Sequence, residues 1–222
     1  MTLTVRAPLL HELLERGRKY PVKKGQILQS SDNRLLTTLV KSGFIKRYLI
    51  ANDGSFGVQS IYGPGDIFPL TLIFKLILDQ DLYHGPETYY YEAMCDSEIY
   101  ILSNEVLLKQ VESDPSLYRD LFSEAGRRLT SNIQRLENIS LTSAYKRVAH
   151  QLVFYAKEFS EPTPLGTKLV IPLTHLDLAN ILSISRETVS QAMSKLRAEG
   201  LIKTNKHIII PNLKKLEDEA YS

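Results

Sequence analysis

The stretch 174–203, reading THLDLANILSISRETVSQAMSKLRAEGLIK, restricts the possible folds of this chain more than any other. Leu178, Ala179 and Leu182 form one short apolar face. Val189, Ala192, Met193 and Leu196 form a second, at the i, i+3, i+4, i+7 spacing of a helix. Ser183–Ile184–Ser185 breaks the pattern between them. The face left outward on the second helix carries Arg186, Glu187, Ser190, Gln191 and Ser194, all able to hydrogen-bond base edges. Two helices so joined are a helix-turn-helix, whose second helix enters the major groove of double-stranded DNA.

Local chemistry agrees. The hydroxyls of Thr174 and Ser185 are placed to cap the two helices by accepting otherwise free backbone N–H groups. Ala179 lets the helices cross closely. Gly200 ends the second helix, and Arg197 sits in its last turn, where the helix dipole favours a cation. Beyond it, Leu201–Ile202–Lys203, a turn at Thr204–Asn205–Lys206 and His207–Ile208–Ile209–Ile210 read as a β-hairpin, which makes a winged helix. Lys203 and Lys206 on this wing are expected to contact phosphate.

The formal net charge of +2 conceals an asymmetry. Residues 140–215 carry eleven basic and five acidic side chains, a local +6, so the remainder is at −4. Counting the tail acids Glu217, Asp218 and Glu219 lowers the C-terminal value to +3. A basic module attached to an acidic one suits a DNA-binding domain joined to a domain with another task.

Asp114–Pro115 reads as a helix start, with an unbroken pattern to about Thr142. Phe122, Gly126, Leu129, Ile133 and Leu136 recur at spacings of 4, 3, 4 and 3, a heptad seam, while Arg127, Arg128, Gln134 and Arg135 lie off it. Such a helix either pairs with its twin, the favoured reading, or packs on its own domain. A twofold homodimer would present two recognition helices about 34 Å apart, on successive major grooves. Residues 144–159 form another amphipathic helix, with Val148, Leu152 and Tyr155 on one face. A loop is expected over 160–166 and a strand over 168–172.

Residues 20–102 read as all-β, with strands over 26–29, 38–40, 44–50, Phe56–Tyr62, 89–94 and 98–102. Asn52–Asp53–Gly54 is a hairpin turn and Gly63–Pro64–Gly65–Asp66 another break, the pattern of a small barrel or roll. The Tyr89–Tyr90–Tyr91 run is read as strand packing. The expected fold class is therefore α+β, in three parts. Residues 1–113 form an N-terminal, jelly-roll-like β-roll sensor domain, 114–142 a long dimerisation helix, and 143–222 a C-terminal winged helix-turn-helix.

A length of 222 residues allows two cores. No apolar run approaches the roughly 18–20 residues needed to cross a bilayer, so no membrane partner is expected. Arg6, His11, Glu12, Glu15 and Arg16 interrupt the N-terminus, unlike a secretory leader. A single cysteine, Cys95, excludes an internal disulfide and suits a reducing cytoplasm.

Taken together, Val22–Lys23–Lys24–Gly25–Gln26, Pro64–Gly65–Asp66–Ile67–Phe68, Gly126–Arg127–Arg128–Leu129 and, most specifically, Ser185–Arg186–Glu187–Thr188–Val189–Ser190 resemble the CRP/FNR transcription regulators over nearly the full length. The resemblance implies a cytoplasmic bacterial homodimer that binds a two-fold symmetric promoter element and contacts RNA polymerase. It implies base contacts by Arg186, Glu187 and Gln191, and places 159–168 where some members touch polymerase.

Departures from the family bear on the signal. Members that bind cyclic nucleotides carry an acidic residue after the Gly-Asp turn and an Arg-Ser pair on a phosphate-binding helix. Here Leu70 and Glu87–Thr88 stand near those places, and no arginine occurs between Arg47 and Arg119. A buried phosphate needs a charge-assisted, preferably bidentate donor, and Lys75 is a poor substitute. Cyclic AMP binding by the usual mode is not expected, no cofactor is predicted, and the effector site is unassigned. One cysteine cannot hold an iron–sulfur cluster. Haem through His84 or Cys95 is a weaker alternative, because Cys95 reads as a small core residue on a strand. The apolar stretch Leu70–Leu78 either walls a metabolite pocket or is core packing.

In the recognition helix, many relatives carry arginine in place of Gln191 and glycine in place of Ser183. Gln191 pairs best with adenine, Arg186 with guanine, and Glu187 accepts from a cytosine amino group. Two other classes compete. A metal-dependent β-roll enzyme needs converging histidines, yet of His11, His84, His150, His175 and His207 only His84 lies in the roll. An interaction protein could dock the winged helix on another protein, but the polar face of 186–194 opposes this.

Overall fold

The computed structural model describes residues 8–29, 36–50, 54, 56–79, 89–141 and 143–222. Arg6, Asn52–Asp53, His84, Glu87–Thr88 and Thr142, named above, lie outside the described residues. The chain divides into two compact units, Met1–Ser131 and Asn132–Ser222.

The first unit opens with α1 (Pro8–Glu15), β1 (Arg18–Val22), β2 (Ile27–Gln29), β3 (Thr37–Ser42), β4 (Ile45–Ile50), β5 (Phe56–Tyr62) and β6 (Ile67–Phe68). It continues with α2 (Leu70–Leu78), β7 (Tyr90–Ala93), β8 (Ser97–Leu102), α3 (Asn104–Ser113) and the first half of α4 (Ser116–Leu141). Two antiparallel sheets, ordered β1-β8-β3-β6 and β2-β7-β4-β5, form the roll. Between them lie Val22, Val40, Ile45, Tyr62, Phe68, Tyr91, Ala93 and Ile99. Tyr91 and Ala93 are buried while Tyr90 and Glu92 are partly exposed, as the period of two along β7 requires. The rings of Tyr62 and Tyr91 pack on Phe68 at 4.7 and 4.8 Å between centroids, so aromatic side chains fill this interior.

A second core lies under the helices, where Leu13 and Leu14 of α1, Ile73 of α2, Leu107 and Val111 of α3, and Leu117 and Leu121 of α4 pack with Leu39, Ile67 and Leu102. The apolar run Leu70–Leu78 is thus an amphipathic helix whose Ile73 is fully buried. Helix α3 was not anticipated, although Ser103 caps it through the amide of Val106. Strand β1 was missed too, because Pro21 interrupts an otherwise charged stretch. Cys95 is a correction. It sits partly exposed in the bend between β7 and β8, not in a strand.

One turn of the roll needs a special backbone conformation. Gly65, at φ +88°, closes the Gly63–Asp66 turn and donates its N–H to the Val40 carbonyl. One oxygen of Asp66 accepts the Gly63 amide at 2.8 Å. The other meets Arg127 at 2.6 Å and Arg128 at 3.1 Å, and Glu124 joins both arginines at 2.5 and 3.4 Å. Arg128 also lies 4.4 Å from the centre of the Tyr62 ring. Asp66 and Glu124 are almost wholly buried, so this cluster ties the turn to α4 with compensated charges.

The second unit follows with the rest of α4, α5 (Ala144–Glu158), β9 (Ser160–Thr163), β10 (Gly166–Leu169), α6 (His175–Leu182), α7 (Arg186–Ala198), β11 (Lys203–Thr204), β12 (Ile208–Ile210) and α8 (Leu213–Tyr221). Its antiparallel sheet runs β11-β12-β10-β9. The loop expected over 160–166 is instead a hairpin, and the strand expected at 168–172 is shifted to Gly166–Leu169. Pro162 is compatible with β9 because that strand lies at the edge, where a missing N–H costs nothing. Helix α8 was read only as an acidic tail. Leu216 and Ala220 bury against α5, and Lys157 pairs with Glu217.

Candidate nucleic-acid interface

Helix α6 starts in a reciprocal capping box. Thr174 accepts the Asp177 amide at 3.0 Å, and the Asp177 carboxylate accepts the Thr174 amide at 3.0 Å. Leu178, Ala179, Ile181 and Leu182 bury its inner face. Ser183 then enters the left-handed region at φ 53° and ψ 48°, reversing the chain. A serine there carries a cost of about 1 kcal/mol that glycine would not. The last carbonyls of α6 receive arginines from elsewhere in the unit. Arg135 donates to Ile181 at 2.8 Å and Arg147 to Leu182 at 3.5 Å, opposite the negative end of the helix. From spacing alone, Arg135 is expected only to lie off the heptad seam.

Ser185 caps α7 by accepting the Thr188 amide at 3.0 Å. Val189, Ala192, Met193 and Leu196 are buried, the four predicted from spacing. The buried stripe sets the helix rotation, so Glu187, Ser190, Gln191 and Ser194 share the outer face, flanked by Arg186. Arg186, Glu187 and Gln191 are exposed, and among the described residues no hydrogen bond or ion pair engages their side chains. Ser190 and Ser194 differ. Ser190 lies 2.9 Å from Nδ1 of His175 on α6, and Ser194 accepts from Arg197 at 3.1 Å. Thr174 and Ser185 are exposed but already occupied as caps.

Gly200, at φ +70°, turns the chain out of α7, and the Leu201 amide closes onto the Leu196 carbonyl at 3.0 Å. Strands β11 and β12 form the expected wing, with Lys203 opposite Ile209 and a tip bond from the Asn205 amide to the His207 carbonyl at 3.2 Å. Because β12 also pairs with β10, the wing is the margin of a sheet and not a free hairpin. Lys203 and Lys206 are exposed on it. Behind α7, the Tyr145 hydroxyl donates to Glu199, and Lys195 lies 4.2 Å over the Tyr145 ring. Burial, then the Glu199 carboxylate, push the Tyr145 hydroxyl above its ordinary range, which keeps it a donor.

Helix α4 carries a second uncovered surface. Phe122, Leu129, Ile133 and Leu136 are 80, 61, 46 and 65 % exposed. A side chain added at Gly126 would meet nothing within 4 Å. Among the described residues no helix is long and apolar enough to cross a membrane.

The Crp-like helix-turn-helix domain matches residues 146–219. A probable transcriptional activator of Rhizobium leguminosarum bv. viciae is 30% identical over 128 residues, 57% of this chain and 53% of that protein. This chain therefore aligns with only about half the length of that relative. The CRP-like cAMP-activated global transcriptional regulator of Mycobacterium tuberculosis is 25% identical over 183 residues, 82% of this chain and 78% of the relative. The structure of FixK2 from Bradyrhizobium japonicum superimposes with a TM-score of 0.74 at 20% identity, covering 91% of this chain and 96% of that one, and shares the fold. Residues 146–219 thus form a Crp-like helix-turn-helix domain, and the chain as a whole, with its N-terminal β-roll and long connecting helix, is similar to transcription regulators of the CRP/FNR type.

Proposed function

We propose that the chain acts as a homodimer on a two-fold symmetric promoter element, each protomer inserting α7 into the major groove. The observation that carries this reading is the outer face of α7. Arg186, Glu187 and Gln191 are exposed and unengaged on a helix capped at its N-terminus, so no bond within the chain has to break before base contact. Arg186 reads guanine, Gln191 reads adenine and Glu187 accepts from cytosine. Thr174, Ser185, Ser190 and Ser194 border the same surface, while Lys203 and Lys206 hold phosphate and set register.

Residues 114–142 serve as the pairing helix, with Phe122, Gly126, Leu129, Ile133 and Leu136 at the seam. The exposed stripe supports this role, and pairing sets the two α7 helices about 34 Å apart. Residues 1–113 form the sensor roll and 143–222 the DNA-binding domain. The β9–β10 hairpin, with exposed Leu165 at its turn, offers a contact for RNA polymerase. The protein works in the cytoplasm as a regulator and not an enzyme. Its roll does not take cyclic AMP in the way expected of cyclic-nucleotide-binding members, since residues 48–118 contain no arginine to hold a phosphate.

Competition titrations with duplexes varied one base pair at a time test the central role of α7. Arg186→Ala is expected to weaken the preferred site by about 1–3 kcal/mol and to level the preference at one guanine. An unchanged preference at every position would remove Arg186 from the reading.

A further inference from the structure

Arg197 is the last basic residue of α7, and from spacing alone it serves the helix dipole. Its guanidinium does something more specific. Nη2 donates to Ser194 Oγ at 3.1 Å, one turn back on the outer face, and Nη1 donates to Thr204 Oγ1 at 3.0 Å on β11 of the wing. Two hydroxyls on separate elements are thus held by one rigid fork.

We propose that Arg197 is a positioning residue of the DNA interface, orienting the Ser194 hydroxyl so that it donates to the duplex. The proposal rests on the reading of α7 as the recognition helix. A guanidinium has five donors and no acceptor, so Ser194 Oγ must be the accepting partner in this bond. Its own hydrogen is then directed away from Arg197, toward whatever approaches the outer face. The nearby positive charge disfavours a second donor, such as a cytosine or adenine amino group, on the remaining lone pair. Guanine O6 and N7, adenine N7 and thymine O4 are the major-groove atoms that fit. Ser190 makes a useful contrast. Its partner, His175 Nδ1, donates or accepts according to tautomer, so the same geometry leaves that hydroxyl's direction open.

Thr204 matters because it fixes the fork. Held only by Ser194, three residues back on the same helix, the long Arg197 side chain would still turn outward to a phosphate. Anchored across to β11, it stays in the plane that meets Ser194, and it couples the wing bearing Lys203 to the helix that reads bases. Arg197 therefore adds positive potential without making a phosphate contact of its own.

The test is selection of binding sites from random duplex by the full chain, with titrations across salt concentration and a thermal melt of each variant. S194A and R197A are expected to lose about fivefold preference at the same base pair of each half-site, with the melt unchanged. The double variant loses no more than either single one, because the two act through one bond. R197K keeps the charge but not the fork, and shows the same loss. R197A leaves the salt slope as in wild type, whereas Lys203→Ala shallows it by about one ion. The proposal is overturned if R197A keeps the wild-type preference, if its loss falls at a different base pair from that of S194A, or if its salt slope falls like that of the Lys203 variant. A wild-type chain that selects no sequence would overturn the DNA reading itself, and this role with it.

Discussion

Helices α4 and α7 each leave one face uncovered, and the two faces differ in chemistry. On α4 the exposed stripe is Phe122, Leu129, Ile133 and Leu136. On α7 it is Glu187, Gln191 and Ser194, with Arg186 beside them. The first surface gains by leaving water and calls for an apolar partner of the same periodicity, which under the proposed function is a second copy. The second is well solvated and gains only where its hydrogen bonds are replaced one for one, as the edges of bases allow. On the proposed function, pairing is driven by area and reading by direction. An apolar face tolerates substitutions that keep its volume, whereas a reading face is sensitive to single atoms.

The largest effect should come from breaking the apolar face. Leu129→Glu puts a charge at the middle of the seam, where it is 61 % exposed in the single chain and costs the protomer little stability. Paired, the two carboxylates would be buried against each other. Sedimentation should then give monomers, and affinity for a full palindromic site should fall at least about 100-fold through loss of bivalency. Retained dimers would assign the stripe to another partner.

Next in size is a surface that must stay covered. Asp66→Ala would leave Arg127 and Arg128 without the carboxylate 2.6 and 3.1 Å away and free the Gly63 amide. Removing one side of a buried charge cluster should destabilise the first unit by about 3 kcal/mol in urea unfolding. A loss below about 1 kcal/mol would mean that water reaches the arginines. The smallest change belongs to the turn between α6 and α7. Ser183→Gly relieves a left-handed serine at φ 53° and should stabilise the second unit by about 1 kcal/mol. Its base preference should be unaltered, because no reading side chain moves. Destabilisation would show that the serine makes a compensating contact.

The same pair of helices explains what was legible in the chain. For 174–203, caps, buried stripe and turn all lie within 30 residues, so each assignment follows from local rules. Every buried residue of α7 was expected from spacing, as were its cap at Ser185 and the wing. Contacts made across long separations were not. Asp66 and Arg127 are 61 residues apart, and nothing in Pro-Gly-Asp or Gly-Arg-Arg-Leu says that the two motifs meet. Likewise, nothing in the sequence around Arg135 or Arg147 says that they meet the last carbonyls of α6. Helices α2, α3 and α8 were passed over for another reason. Each is about as short as α6 but lacks the second capped helix that makes α6 and α7 a recognisable pair, so its periodicity does not stand out against neighbouring strands or a charged tail. The wing's hold on Ser194 through Arg197 was hidden in the same way, since side-chain direction does not follow from spacing.

The most direct test of the account is the shape of the DNA site itself. The full chain, mixed with random duplex and carried through repeated selection, should enrich two inverted half-sites with centres about 10 base pairs apart, one for each α7 of a dimer. Enrichment of a single unsymmetric half-site, or of no sequence above the starting pool, would contradict it.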